Sequence, residues 1–376
     1  MLEGIYLDNS ATTQVSEAAA KAAFAAMTEN YGNPSSLHKM GIEAEKILEG
    51  ARFAIAERLY VQPKNIYFTS GGTEANNLAV FGAVEAKKRY GKKIVATAIE
   101  HHSVLDSVKA MEKQGYECVY LEPDEYGNIS EEKIYNAVDD TTILVSIMAI
   151  NNELGSVLPI KAASRAIKRA KANAYLHVDA VQAFCKTDLN PKADGVDLMS
   201  ISAHKIHGAK GCGALYVADG VKIKPQTFGG EQEKKLRPGT QAVPLIAAFG
   251  QAVCDYPKND NTVKELCLYA KDVLSGIEGV VFNSGENASE YIINLSVLGI
   301  RSEIMLHYLE QQGIYVSSGS ACAMGKPSHV LAAAGIPAKR ADSALRISFS
   351  HFNKKTDIDA LAAAIISGQK SLIRSK

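Results

Sequence analysis

Along this chain, short apolar runs alternate with longer stretches in which apolar residues recur every three or four positions. Strand-like runs fall at 65–69, 93–98, 143–149, 175–179, 197–202 and 213–218, mostly separated by helix-like stretches such as 73–88, 103–114 and 159–172. In the run ending near 202, Leu198, Ser200 and Ser202 share one face and Met199, Ile201 and Ala203 the other, which reads as a buried strand. Ser130 followed by Glu131 and Glu132 marks a helix start, and Pro159 opens a basic-faced helix through Lys171. Such alternation predicts an α/β fold with a mainly parallel sheet covered by helices on both faces. After a polar stretch at 256–262 the pattern changes to helices and short strands. A large domain is therefore expected at 14–255. A smaller α+β C-terminal domain is expected at 256–376, with residues 1–13 joining it. No internal repeat or low-complexity segment interrupts this plan.

Composition narrows the partners. With 376 residues, 47% of them hydrophobic, the chain can bury a large core. Lys+Arg and Asp+Glu both number 41, so no basic field argues for nucleic acid or an anionic membrane. The apolar run 243–254 is too short and too often interrupted to span a bilayer. Met1-Leu2-Glu3-Gly4 lacks the basic and apolar regions of a signal peptide. The 6 cysteines stand singly, which suits a reducing cytoplasm. Apolar neighbours place Cys118, Cys185, Cys254 and Cys267 in the core, and Cys212 lies in the glycine turn after Lys205.

Candidate chemistry gathers where predicted strands end. The run to Ser202 leads into Ala203-His204-Lys205 and then glycines at 208, 211 and 213. A lysine held there is poorly solvated, so its amine can become the nucleophile that a Schiff base with an aldehyde cofactor needs. The strand Tyr175-Leu176-His177-Val178-Asp179 ends in an acid that suits either a protonated pyridine nitrogen or the N-cap of a following helix. Gln182, a few residues on, can donate to a ring oxygen. Ser70-Gly71-Gly72-Thr73 turns from a strand into a helix and offers bare N–H groups to a single phosphate. Ser202, His204 and Arg237-Pro238-Gly239-Thr240 can supply further donors. Glu100-His101-His102 places a flat imidazole beside the same edge, and no third ligand at zinc-like spacing accompanies it, so no metal is expected. Ser317-Ser318-Gly319-Ser320-Ala321-Cys322 surrounds a cysteine with small residues, unlike a packed core thiol, and predicts a solvent-reachable one.

Taken with Tyr6-Leu7-Asp8-Asn9, Gly32-Asn33-Pro34-Ser35, Asn151-Asn152-Glu153-Leu154-Gly155 and Leu345-Arg346-Ile347-Ser348, these segments resemble the cysteine desulfurases of the NifS/IscS type, in the class V aminotransferase group of pyridoxal-phosphate enzymes. The resemblance runs in order from residue 6 to about 350, and Ser-Gly-Ser-Ala-Cys is its most specific part. It implies pyridoxal-phosphate fold type I, a homodimer and pyridoxal 5'-phosphate held on Lys205. It further implies Asp179 on the ring nitrogen, His101 stacked on the ring, Gln182 on its phenolic oxygen and Asn152 nearby. Gly72, Thr73, Ser202 and His204 would bind the phosphate, with Thr240 arriving from the partner subunit. Arg346, helped by Asn33, would hold the substrate carboxylate, and Cys322 would take sulfur from L-cysteine as a persulfide, leaving alanine. A sulfur-acceptor protein, a scaffold or a tRNA-modifying enzyme, is the implied partner.

Three departures stand out. The loop after Cys322 is shorter than in the best-known housekeeping members, His351 stands where arginine is usual, and Pro238 replaces a common serine. The alternatives are another class V reaction, such as an aminotransferase or a selenocysteine or cystine lyase, and a non-catalytic protein that has kept the fold.

Overall fold

The computed structural model describes residues 4–258, 261–318 and 328–372, so Cys322 lies outside the described residues. The strands are β1 (Ile5–Tyr6), β2 (Ile66–Thr69), β3 (Lys93–Thr97), β4 (Glu117–Leu121), β5 (Thr142–Met148), β6 (Tyr175–Asp179) and β7 (Leu198–Ser202). They continue with β8 (Gly213–Val217), β9 (Val280–Phe282), β10 (Ile292–Val297), β11 (Ile314–Tyr315), β12 (Ser317–Ser318) and β13 (Ala344–Ser348). A 7-stranded sheet has the order β2-β8-β7-β6-β5-β3-β4, a 4-stranded sheet the order β12-β13-β10-β9, and β1 pairs with β11.

The seven-stranded sheet is mainly parallel, with β8 alone running against its neighbours β2 and β7. Its central strands are buried at every position of β5, β7 and β8 because helices cover both faces. One core holds Phe184, Phe249, Ile55 and Val178; another, around Leu78, Val80, Ile94 and Leu144, lies under the helix Gly72–Lys87. From β3 the chain goes outward to β4, then returns to β5 on the other side of β3. Such a reversal opens a crevice at the carboxyl ends of the strands. The tips of β2, β3, β5, β6 and β7 share that edge, because β2 and β7 both run opposite to β8.

The four-stranded sheet is antiparallel throughout and packs on its own core of Leu295, Ile347, Ile358 and Leu361. The chain start is tied to it by Ser348 N, which donates to Leu7 O at 2.8 Å, and to β11 by Leu7 N, which donates to Tyr315 O at 2.8 Å.

Local start and stop signals act as expected. Ser130 caps its helix by accepting from Lys133 N, and Gly313, at φ +73°, ends the turn after the helix Ser302–Gln311. Two expectations fail. Strand β4 was not anticipated although Cys118, Val119, Tyr120 and Leu121 form an unbroken apolar run; it is an edge strand with only Leu121 buried. Cys254 is exposed, not core, and Cys118 is half-buried. Cys254 sits one step past buried Val253 on the helix Val243–Asp255, and one step is a turn of roughly 100° away from the packed face.

Candidate active site

A cavity of about 340 Å³ opens at the strand tips, lined from the seven-stranded sheet by Gly72, Thr73, His101, Asn152, Asp179, Gln182, His204 and Lys205, and from β13 by Arg346. A second hollow is lined by Ser70, Gly71, Gly72, Thr73, Ser202 and His204.

Asp179 ends β6 and is 5% exposed. Its Oδ2 accepts from Asn76 Nδ2 at 2.7 Å and its Oδ1 from Val181 N at 3.0 Å. A turn, not a helix, follows, so Asp179 is not an N-cap. Asn76 also donates to Ser103 Oγ at 2.8 Å, and Ser103 in turn fixes His101. The Ser103 backbone N–H donates to His101 Nδ1 at 3.2 Å, which places the ring proton on Nε2. Burial holds the His101 pKa below its ordinary value, against the charge of Asp179.

Lys205 follows β7 in a single 3₁₀ turn, and its Nζ donates to Ser10 O at 2.5 Å and Ala11 O at 2.8 Å. Gln182 Nε2 donates to the same Ser10 O at 2.9 Å while its Oε1 accepts from Lys186 Nζ at 3.2 Å. Because the Ser10 carbonyl can only accept, the amide turns its NH₂ group towards it. Burial, with Lys205 nearby, pushes Lys186 down to about 7. His204 falls to about 3 through burial and the surrounding lysines, so it is a neutral ring.

The glycine turn is built by close approach. A Cβ on Gly213 would lie 2.7 Å from Gly71 C, and one on Gly72 would lie 2.7 Å from Val181 Cγ2, whereas the space beside Gly71 is open. Ser202 Oγ is buried there with no partner among the described residues. Arg237 does not reach this turn as a free donor: its Nε binds Glu74 Oε1 at 2.8 Å, and Glu74 Oε2 accepts from Ser70 N at 2.6 Å.

Arg346 is 4% exposed, and its two terminal nitrogens donate to Asp8 Oδ1 at 2.8 Å and Asn152 O at 3.0 Å. The fork is thus pre-set by protein partners, with Nε buried and unpaired. Within one chain neither Asn33 nor Thr240 lines the cavity; both are exposed, and Asn33 Oδ1 accepts from Ser35 N at 2.9 Å. Cys212 is buried and its thiol pushed up to about 12, away from reactive thiolate. Among the described residues no group of three or more His, Cys, Asp and Glu could hold a metal ion.

Sequence reasoning missed Asp8, Ser10, Asn76, Ser103 and Lys186. Asn76 carried a signal, since it lies one helical turn after Gly72 on the helix that starts at the glycine turn. Asp8 stood in a segment that carried the resemblance but without a role, and neither its partner nor that of Ser10 could be read, because those partners lie far along the chain.

The Aminotransferase class-V family matches residues 5–361. Among curated proteins, cysteine desulfurase IscS of Methanosarcina thermophila is 39% identical, over 96% of this chain and 91% of that one. Putative cysteine desulfurase IscS 1 of Bacillus subtilis is 38% identical, over 99% and 100%. Among solved structures, a NifS-like protein superposes with a TM-score of 0.93 at 34% identity, covering 98% of this chain and 100% of that one. SspA in complex with cysteine superposes with a TM-score of 0.83 at 31% identity, covering 93% and 100%.

Proposed function

This chain belongs to the class-V aminotransferase family, and from that premise we propose that it is a cysteine desulfurase, taking sulfur from L-cysteine and leaving alanine. The observation that carries the reading is the convergence of Lys205, Asp179, His101 and Arg346 on one cavity, in a chain similar over its whole length to desulfurases.

The residues present fit pyridoxal 5'-phosphate. The unpaired Ser202 Oγ, the open space beside Gly71 and the N–H groups that start the helix Gly72–Lys87 suit its phosphate. Asp179 suits its ring nitrogen, Gln182 its phenolic oxygen and Lys205 its aldehyde carbon. When bound, the cofactor supplies an aldehyde for the substrate amine and a ring that spreads the charge left by a departing Cα proton.

Within that reading, Lys205 Nζ moves the Cα proton, and the Ser10 and Ala11 carbonyls hold it at the cavity. His101 presents a neutral ring with its proton on Nε2. Arg346 fixes the substrate carboxylate while Asp8 and Asn152 hold the guanidinium in place. Cys322 Sγ, as thiolate, attacks the substrate sulfur: an S–S bond forms, the substrate Cβ–S bond breaks, and the released electron pair leaves with Cβ, to be protonated as alanine.

We keep the division into 14–255 and 1–13 with 256–376; β2 to β8 lie within the first part and β9 to β13 within the second. A homodimer belongs to the same proposal. Leu37 and Phe228 are 96% and 88% exposed, and a second copy would cover them. No helix among the described residues is long and apolar enough to cross a membrane, and cytoplasmic residence with delivery to a sulfur-acceptor protein completes the proposal.

Incubation with L-cysteine tests the function. Alanine should accumulate, and peptide mass spectrometry should find an added sulfur on the Cys322 peptide. Cys322→Ala should release no alanine. Alanine production by that variant at the wild-type rate would sink the persulfide step, and amino transfer that depends on a keto acid would mark an aminotransferase.

A further inference from the structure

The chain between Ser318 and Ser328 carries Cys322, and its two flanking residues are both described. On one side, β12 pairs with β13 so that Ser317 lies opposite Arg346. On the other, Ser328 and His329 begin the helix His329–Ala333, and each is fastened to a different strand tip at the cavity.

Ser328 has one hydroxyl proton, and it goes to Glu153 Oε2 at 2.5 Å. Its oxygen simultaneously accepts from Leu331 N at 3.2 Å, capping the helix. Glu153 is itself held rigidly. Asn151 Oδ1 accepts from both Glu153 N at 2.9 Å and Leu154 N at 2.8 Å, and Asn151 Nδ2 donates to Ile99 O at 3.0 Å. From β10, Asn294 Nδ2 donates to Glu153 O at 3.2 Å. The turn that presents Glu153 therefore also presents Asn152, whose carbonyl holds Arg346.

His329 Nε2 donates to Glu100 O at 3.0 Å, and its ring lies 4.5 Å from that of His102. Glu100 immediately precedes His101. The bond needs only the Nε2 proton, and burial lowers the His329 pKa, so the neutral ring makes it across the neutral range. Together the two attachments fasten one end of the cysteine-bearing segment to the residues that flank His101 and Asn152.

We infer that Glu153 and His329 are positioning residues for sulfur transfer: they hold Ser328 and the start of its helix against the cavity rim, and so fix where the segment carrying Cys322 is anchored relative to bound substrate. The inference rests on the desulfurase reading. Neither residue lines the cavity, so their loss should spare substrate binding and slow only the step made by Cys322.

The test uses the holoenzyme in a single turnover with L-cysteine. Three quantities are followed: cysteine affinity by spectral titration, the rate at which sulfur appears on Cys322, and amide exchange across 328–333. Glu153→Ala and His329→Leu should each slow sulfur appearance about tenfold or more, with affinity changed less than about twofold. Exchange across 328–333 should accelerate in both. Glu153→Gln keeps an acceptor for Ser328 and His329→Gln keeps a donor for Glu100, so both should approach wild type. Sulfur transfer at the wild-type rate in the Ala and Leu variants would overturn the inference. So would glutamine variants as impaired as those two, or affinity and transfer falling together. A wild-type enzyme that puts no sulfur on Cys322 would instead overturn the desulfurase reading, and this inference with it.

Discussion

Asp179 and Arg346 line the same cavity, yet they are positioned in opposite ways. Asp179 is held inside one structural unit: it ends β6, and its partners Asn76 and Val181 come from the adjoining helix and the next turn. Arg346 stands on β13 of the other sheet and is held by Asp8, from the chain start, and by Asn152, from the tip of β5. The first arrangement exists once one sheet has folded; the second exists only where three distant segments meet. In the proposed mechanism, a charge that acts on a developing carbanion would gain from the rigid setting, whereas a guanidinium that holds a carboxylate can be set by the seam.

The sharpest way to break this contrast is Asp179→Asn. The amide keeps one acceptor, and Asn76 can turn its unpaired Oδ1 towards the new NH₂ group, so folding should survive. What disappears is the negative charge. Turnover should fall on the order of 100-fold or more, the equivalent of about 3 kcal/mol of transition-state stabilisation. Steady-state kinetics beside a thermal melt would check it. A near-normal kcat would mean that this aspartate only braces the turn.

Arg346→Lys probes the seam. A lysine reaches Asp8 or Asn152 O but cannot grip a carboxylate bidentately, so the KM for cysteine should rise about tenfold while kcat changes less. A fall in kcat with KM untouched would place Arg346 with Asp179 in the chemistry and erase the distinction.

The same contrast explains what could be read in the chain. Asp179, Lys205, His101 and Gly72 each follow an apolar run whose local pattern announces a strand tip, and the crevice rule then gathers them at one edge. Asp8, Ser10, Glu153 and Ser328 have no such local sign. Their roles depend on contacts across more than a hundred positions, as with Arg346 and Asp8, 338 apart. Motif resemblance supplied Arg346, but not the partners that aim it. Cys254 misled because sequence neighbours on a helix do not share a face. Arg237 misled because Glu74, inside the very turn it was expected to serve, takes its guanidinium.

Glu100→Gln gives the smallest expected change in turnover and tests how the Asp179 side is kept singly charged. Glu100 is fully buried, its Oε1 accepting from Thr97 Oγ1 at 2.7 Å and Met148 N at 2.8 Å, with Oε2 unpaired. Burial, and then the charge of Asp179, push its pKa from 4.5 up to about 8. Between those two values the folded protein holds a proton that the unfolded chain has released. Stability from this group therefore falls as pH rises through that window, by at most about 1.4 kcal/mol per pH unit, and levels off above it. His177 and His207, both lowered to about 4, act in the opposite sense as pH rises towards their ordinary value of 6.5, and Lys186 opposes from about 7 upward. The raw pH curve thus mixes several groups, and the difference between variant and wild type isolates one. Glutamine keeps the acceptor towards Thr97 and Met148 and cannot ionise. Its stability relative to wild type, from urea unfolding at a series of pH values, should climb from about pH 5 to about 8 and then hold constant. A difference that stays flat across that range would mean that Glu100 is ionised beside Asp179 in the folded protein, and that the Asp179 side of the cavity carries two negative charges.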